Sequence, residues 1–272
     1  MLDQVADALA NNSSRIIFDK ASLSSQLAGV FCSMWRATGQ PGQGAIPTTA
    51  ALCTKALTGA IGFTNQTDPA TSYIGFLEAT CSNNVATLEI HDRLAHMGGL
   101  VFNVTTSQNA NIDLLTLSVP AERIGSADYG DVQWWLEVYT AGGATASNLT
   151  LNATFDDAST GNLNVLAVGG TLGASRMYSL GGLRTTSQQA RNIRGISTGI
   201  LSASTGTAGN WGITATRPRA KIAMPLANFL NQATWEQTGL SNVPNDSCLF
   251  PIILPTTTSS GTLRGGGKII HG

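Results

Sequence analysis

Charge is what this chain has least of. Lys, Arg, Asp and Glu make up 11% of its 272 residues, against roughly 25% in typical soluble domains. A surface so poor in charge must be covered by Ser, Thr, Asn, Gln and Gly, and it is weakly protected against association. Two circumstances tolerate such a surface: burial of much of it in partners, or a stable life outside the cell. The composition favours the first. The net charge of −1 supplies no field to draw the chain onto nucleic acid, so no direct nucleic-acid partner is expected. No apolar run reaches the length of a membrane span, and no membrane partner is expected. The opening MLDQVADALANNSSR carries neither the basic nor the apolar region of a signal peptide, so synthesis in a cytoplasm without export is the expectation.

Other absences concern chemistry. The four cysteines, Cys32, Cys53, Cys81 and Cys248, contain no CxxC pair, which removes a zinc knuckle and leaves buried free thiols as the expectation. No Gly-x-Ser-x-Gly elbow is present. Gly265-Gly266-Gly267-Lys268 lacks the earlier Gly of a phosphate loop, and Ile269 stands where Ser or Thr should follow. His91 and His96 are five apart, a spacing that puts them on opposite faces of one strand. They hold a metal together, with Asp92, only if a turn separates them, and no metal is expected. Glu78, Glu89, Asp131 and Glu137 supply candidate carboxylate pairs for glycoside hydrolysis, but any β protein offers such pairs. No catalytic residue, cofactor or enzymatic activity is therefore assigned. The basic residues between Arg176 and Lys221 lack interleaved aromatics and read as a solvated or subunit-facing stripe.

What is present is a change of period. Leu2, Val5, Ala6 and Leu9 recur at helical spacing. A second helix is predicted over 21–37, with Leu23, Leu27, Val30, Phe31 and Met34 as its stripe, and a short one after Pro47, ended by Gly59. From about residue 70 the period becomes two. About nine short strands follow up to residue 217, separated by Gly, Asn, Ser and Thr turns. They run over 72–80, 85–91, 100–106, 131–140, 148–155, 163–168, 176–180, 192–202 and 211–216, and Ser82-Asn83-Asn84 reads as a hairpin turn. The fold class is therefore mainly β: an antiparallel, jelly-roll-like sandwich with an N-terminal helical segment and an extended C-terminal arm. The predicted organisation is a helical segment and arm over 1–69, a sandwich over 70–217 and an arm over 218–272. Pro251 and Pro255 confine the apolar run 248–254 to a sheet edge. The Gly-rich end has little to pack on and needs a neighbour to order it. Adjacent Trp134 and Trp135 must face opposite sides of a strand, so one is expected outward on a partner or glycan surface.

Several runs carry a resemblance: GQPGQGAIPTTAALCTKALTG, IHDRLAHMGGLVFNVTTSQ, WWLEVYTAGGATASN and PNDSCLFPIILPTTTSSGTLRGGGKIIHG. Together with the N-terminal stretch they are similar to virion structural proteins of tailed bacteriophages. The likeness is one of texture over most of the chain, without a diagnostic motif. It implies an assembly component located in the virion. A capsid decoration or cement protein is the preferred role, working as a homo-oligomer, a trimer, on the major capsid protein or other virion proteins. Neck, tail or baseplate parts, or a glycan- or receptor-binding β-sandwich, are the alternatives. The expected interface residues are Leu2, Val5, Leu9, Trp134, Trp135, Arg264 and Lys268.

Overall fold

The computed structural model describes residues 12–67, 70–83, 85–170 and 172–272. The chain is mainly β and its strand pairs are antiparallel, as the period-two pattern requires. The strands are β1 (Ser13–Lys20), β2 (Phe31–Ser33), β3 (Gly39–Gln40), β4 (Ala51–Leu52), β5 (Ser72–Cys81) and β6 (Ala86–Leu100). They continue with β7 (Gln108–Asp113), β8 (Gln133–Thr140), β9 (Ser147–Phe155), β10 (Thr160–Asn162), β11 (Leu166–Val168) and β12 (Arg176–Ser179). The last are β13 (Ile193–Leu201), β14 (Asn210–Met224), β15 (Asn231–Thr234), β16 (Leu249–Pro255) and β17 (Leu263–His271). Among the described residues no helix is long and apolar enough to cross a membrane.

The chain divides into two compact units. The first gathers residues up to 45, 54–92 and 218–272; the second gathers 46–53 and 93–217. Of the boundaries expected from 1–69, 70–217 and 218–272, 217/218 coincides with a division between the units, whereas the units otherwise divide at 92/93 and around 46–53, so each is assembled from separate stretches of chain.

In the first unit a five-stranded sheet has the order β15-β5-β17-β1-β3. Strand β1 shows why it is a strand: Ser14, Ile16, Phe18 and Lys20 turn inward while Arg15, Ile17 and Asp19 turn out. The opposing layer pairs β16 with β2 and with the first half of β6. Ile16, Phe18, Ile74, Leu77 and Ile269 meet Leu88, Ile90, Leu249 and Ile253 in one apolar core. In the second unit β9 is flanked by β10, β11 and β13, with β7 beyond β13. Facing it are β8, paired with β12 and β14, and the second half of β6, paired with β4. Leu149, Leu151, Phe155 and Ile196 pack there against Leu136, Val138, Trp211 and Ile213. Each unit therefore has the two-layer logic of a sandwich.

Five local expectations are corrected. Residues 21–30 form no helix; the stretch leads into β2 and a single 3-10 turn, Met34–Arg36. Ser25 and Gly29 sit in the left-handed region, which a helix does not admit. Leu23 instead donates its N–H to the Ser260 hydroxyl at 2.8 Å and accepts the Ser260 N–H on its carbonyl at 2.9 Å. The helix predicted between Pro47 and Gly59 is replaced by bends and the short β4.

Ser82 and Asn83 do not close a hairpin, because β5 and β6 lie in different sheets. Asn83 Nδ2 donates to Thr257 Oγ1 and to the Ser259 carbonyl, at 2.7 and 2.6 Å, and so fixes the crossing.

The C-terminal stretch is not an arm: β17 is the middle strand of its sheet, zipped to β5 on one side and β1 on the other. Nor is β16 an edge. It accommodates its prolines because β2 pairs with it only at Ile252 and Ile253.

Candidate functional site

Of the residues that suggested chemistry, Glu89, His91, Asp92, His96 and Glu137 are drawn into the two cores, whereas Glu78 is half-buried and Asp131 exposed. In the second unit Arg93 is buried and places Nη1 and Nη2 2.8 and 2.9 Å from the Glu137 carboxylate. Thr214 Oγ1 donates to Glu137 at 2.6 Å, and Tyr139 Oη does so at 3.2 Å. Arg93 Nη1 also meets His96 Nδ1 at 2.9 Å, which makes that nitrogen an acceptor. Burial opposes the charge on Arg93, but Glu137 more than offsets it and holds the guanidinium protonated. Burial and the same carboxylate push the Tyr139 hydroxyl well above its usual range. Glu137, one of the candidate acids, is thus a neutralised structural counter-ion.

The first unit has a parallel case. Asp92 takes Arg219 at 3.2 Å and the Cys248 N–H at 2.8 Å, all buried. His91 Nε2 lies 2.9 Å from Glu89, which Lys221 also approaches at 3.1 Å. Burial lowers the His91 pKa although Glu89 opposes it, so the imidazole is neutral and donates from Nε2. Lys20, fully buried, gives its ammonium to the carbonyls of Ala37 and Pro41, at 2.9 and 2.6 Å; burial lowers its pKa to about 8. All four cysteines are buried and outside any disulfide. Among the described residues no three His, Cys, Asp or Glu side chains gather as a metal cage.

The expected outward tryptophan is not there. Trp134 and Trp135 are both buried, and their indole N–H groups donate to the Ile193 carbonyl and to Thr216 Oγ1, at 2.7 and 2.9 Å. Strand β8 is covered on both faces, so alternation moves a ring from one interior to another. Trp211 and Tyr139 are buried as well. The supposed basic stripe is dispersed: Arg194 pairs with Asp113, Arg217 with Asp131 and Arg191 with Asp157.

Two exposed features of the first unit are a sheet face and a turn; the second unit exposes Leu115, Val165 and Ile200. The outer side of the five-stranded sheet carries Arg15, Ile17 and Asp19 on β1, and opposite them Lys268, Gly266 and Arg264 on β17. Arg264 and Lys268, expected at an interface, therefore share this side. Arg264 is exposed and 3.3 Å from Asp19, and Lys268 is half-buried. Ile17 is exposed because its cross-strand partner, Gly266, has no side chain to cover it. Asp19, Ala21, Gly39, Gln40, Thr262 and Arg264 line an open cleft of ≈ 550 Å³. Its one acid and one base are paired with each other, so it presents mainly amide and hydroxyl groups.

Beyond β14, the turn 225–230 exposes Leu226, Phe229 and Leu230 by 61%, 52% and 56%. The turn is held by the Asn228 N–H on the Cys81 carbonyl, 2.7 Å away, with Asn228 itself in the left-handed region. None of these three residues is among the expected interface positions. The available signal was an apolar trio in a stretch too short to bury it. Leu2, Val5 and Leu9 lie outside the described residues.

No known family and no curated protein matches the chain. Among solved structures it is similar to "Structure of infectious bursal disease virus Gx strain", at 9% identity over 95% of this chain and 79% of that one, with a TM-score of 0.20. "Crystal structure of infectious bursal disease virus VP2 subviral particle" follows at 11% identity, 95% and 79% coverage, and a TM-score of 0.19. At such scores the chains do not superpose as one fold, and the likeness carries no weight for function.

Proposed function

We propose that this chain is a structural virion subunit without catalytic activity. Within that class we propose a tailed-phage capsid decoration or cement protein, working as a homo-oligomer, a trimer, that binds and stabilises the head shell. One observation carries the reading. Seven of the few charged side chains, Lys20, Glu89, Asp92, Arg93, Arg123, Glu137 and Arg219, are withdrawn into the cores. The surface is thereby poorer in charge than the composition already implies, and it carries an exposed apolar turn. Such a surface suits a protein that spends its working life covered by neighbours. The resemblance of its sequence runs to phage virion proteins points the same way. The glycan-binding alternative loses its platform, since both tryptophans proposed for it are buried.

The test is the mass of the purified protein by light scattering, alone and with undecorated capsids. The expected result is a stable oligomer that co-sediments with the particles. A protein that ignores capsids in this assay overturns the decoration reading.

A further inference from the structure

We infer that one end of the first unit is a contact surface for a second copy of this chain, met end to end about a two-fold axis. The inference goes beyond the decoration reading and does not rest on it. Strand register brings four loops to this end. Lys20 and Cys81 both lie opposite Leu263, Asn231 lies opposite Ala79, and Pro255 opposite Ala86. The segments 21–30, 82–85, 225–230 and 256–262 therefore leave the strands together. Hydrogen bonds tie them down. The Gln26 N–H donates to the Thr258 carbonyl at 2.8 Å, Asn83 Nδ2 to Thr257 and Ser259, and the Asn228 N–H to the Cys81 carbonyl at 2.7 Å. Among the described residues the first unit exposes six large apolar side chains. Five of them, Leu27, Val85, Leu226, Phe229 and Leu230, stand on these loops, between 47% and 61% exposed.

Area, charge and hydrogen-bonding character decide what covers this end. A standard interface buries ~800 Å² per partner, of which about 57%, or about 450 Å², is apolar. At about 100 Å² apiece the five side chains supply about 500 Å², so this one patch meets the requirement. None of the four segments contains Lys, Arg, His, Asp or Glu. On the adjoining strands Asp19 is paired with Arg264 at 3.3 Å, and Glu89 with Lys221 at 3.1 Å. A surface that seeks a bilayer sets basic residues beside its apolar ones; these loops hold none, which favours a protein over lipid. Between the apolar side chains stand the hydroxyls of Ser24, Thr256 and Thr258 and the amide of Asn228. Such groups both donate and accept. The surface therefore opposes its own copy without the like-charge repulsion that a carboxylate or guanidinium patch would meet. A two-fold axis presents the same loops in return.

The experiment uses the full chain carrying Leu226→Lys or Leu226→Glu, with Phe229→Lys and Phe229→Glu repeating it at a second exposed position. Thermal melts followed by circular dichroism are expected to match wild type. In light scattering each variant alone is expected to show half the wild-type mass, because like charges then meet at the contact. An equal mixture of the Lys and Glu variants is expected to recover the wild-type mass, because opposite charges pair. A monomeric wild type, a variant that keeps the wild-type mass, or a mixture that stays at half of it overturns the inference. So does a variant of unchanged mass that no longer co-sediments with capsids, which would turn this end toward the shell. Flotation of wild type, but not of the variants, with phosphatidylcholine vesicles overturns it in favour of lipid. Halving and recovery in a protein that ignores capsids uphold the contact while the decoration reading fails; capsid binding by a monomer does the reverse.

Discussion

At the scale of the residue, the decisive feature is where the charges went. Arg93 and Glu137 form a two-pronged pair inside the second core, with Thr214 and Tyr139 completing the carboxylate's hydrogen bonds. Removing one member leaves the other ionised without a partner in an apolar interior. Glu137→Ala is therefore expected to cost about 3–5 kcal/mol, whereas Arg93→Met with Glu137→Leu costs much less; urea denaturation of the three chains checks this. His91 supplies a pH dependence. Burial holds its pKa below the ordinary 6.5 in the folded chain. As pH falls below 6.5 the unfolded chain takes up a proton that the folded chain refuses, so this contribution is present above 6.5 and is lost with acid. The hydrogen bond from His91 holds the Glu89 carboxyl below 4.5, against burial, and adds a second loss below that pH. Lys221 also supports Glu89, while Asp92 and Arg219 act on His91 in opposite senses. Calorimetry is expected to show the melting temperature falling between about pH 7 and about pH 5, and falling less in His91→Gln.

At the scale of the element, most strands of the predicted sandwich were legible. The period-two runs over 72–80, 131–140, 148–155 and 192–202 correspond to β5, β8, β9 and β13, within a few residues at each end. They were legible because each alternates against one core face or is flanked by turn residues. Strand β17 was not. Three successive glycines deny it a propensity signal, and only the fold explains them: Phe18 lies over Gly265, its cross-strand partner. A Cβ on Gly265 would stand 2.6 Å from the Phe18 ring and 2.2 Å from the Glu78 carbonyl oxygen. Gly265→Val is therefore expected to prise β1 and β5 away from β17 and to lower the melting temperature by ten degrees or more, as overpacking at the centre of a sheet does. A thermal melt followed by circular dichroism reads this directly. The reverse failure occurred over 21–37, where an apolar stripe at helical spacing was outweighed by left-handed Ser25 and Gly29 and by the hydrogen bonds of Leu23 to the Ser260 hydroxyl and N–H.

At the scale of the whole molecule, the two ends of the chain are structural partners. Strand β1 pairs with β17 along its full length, from Ser13 opposite Ile270 to Lys20 opposite Leu263. A chain lacking 263–272 loses the middle of the five-stranded sheet, exposing both β1 and β5. It is expected to be insoluble or to lose hydrogen-exchange protection throughout β1 and β5. A disposable arm would leave both strands protected. The sequence by itself determined the class: a charge-poor, antiparallel β protein with buried thiols and no recognisable catalytic motif. Composition and period are local quantities, and local quantities suffice for that. Only the tertiary structure decided that Trp134 and Trp135 are both interior, that the glycine-rich end is a central strand and that Leu226, Phe229 and Leu230 are left exposed. Each of these depends on what lies across the sheet from a residue, often more than a hundred positions away. Sequence spacing carries no record of that partner.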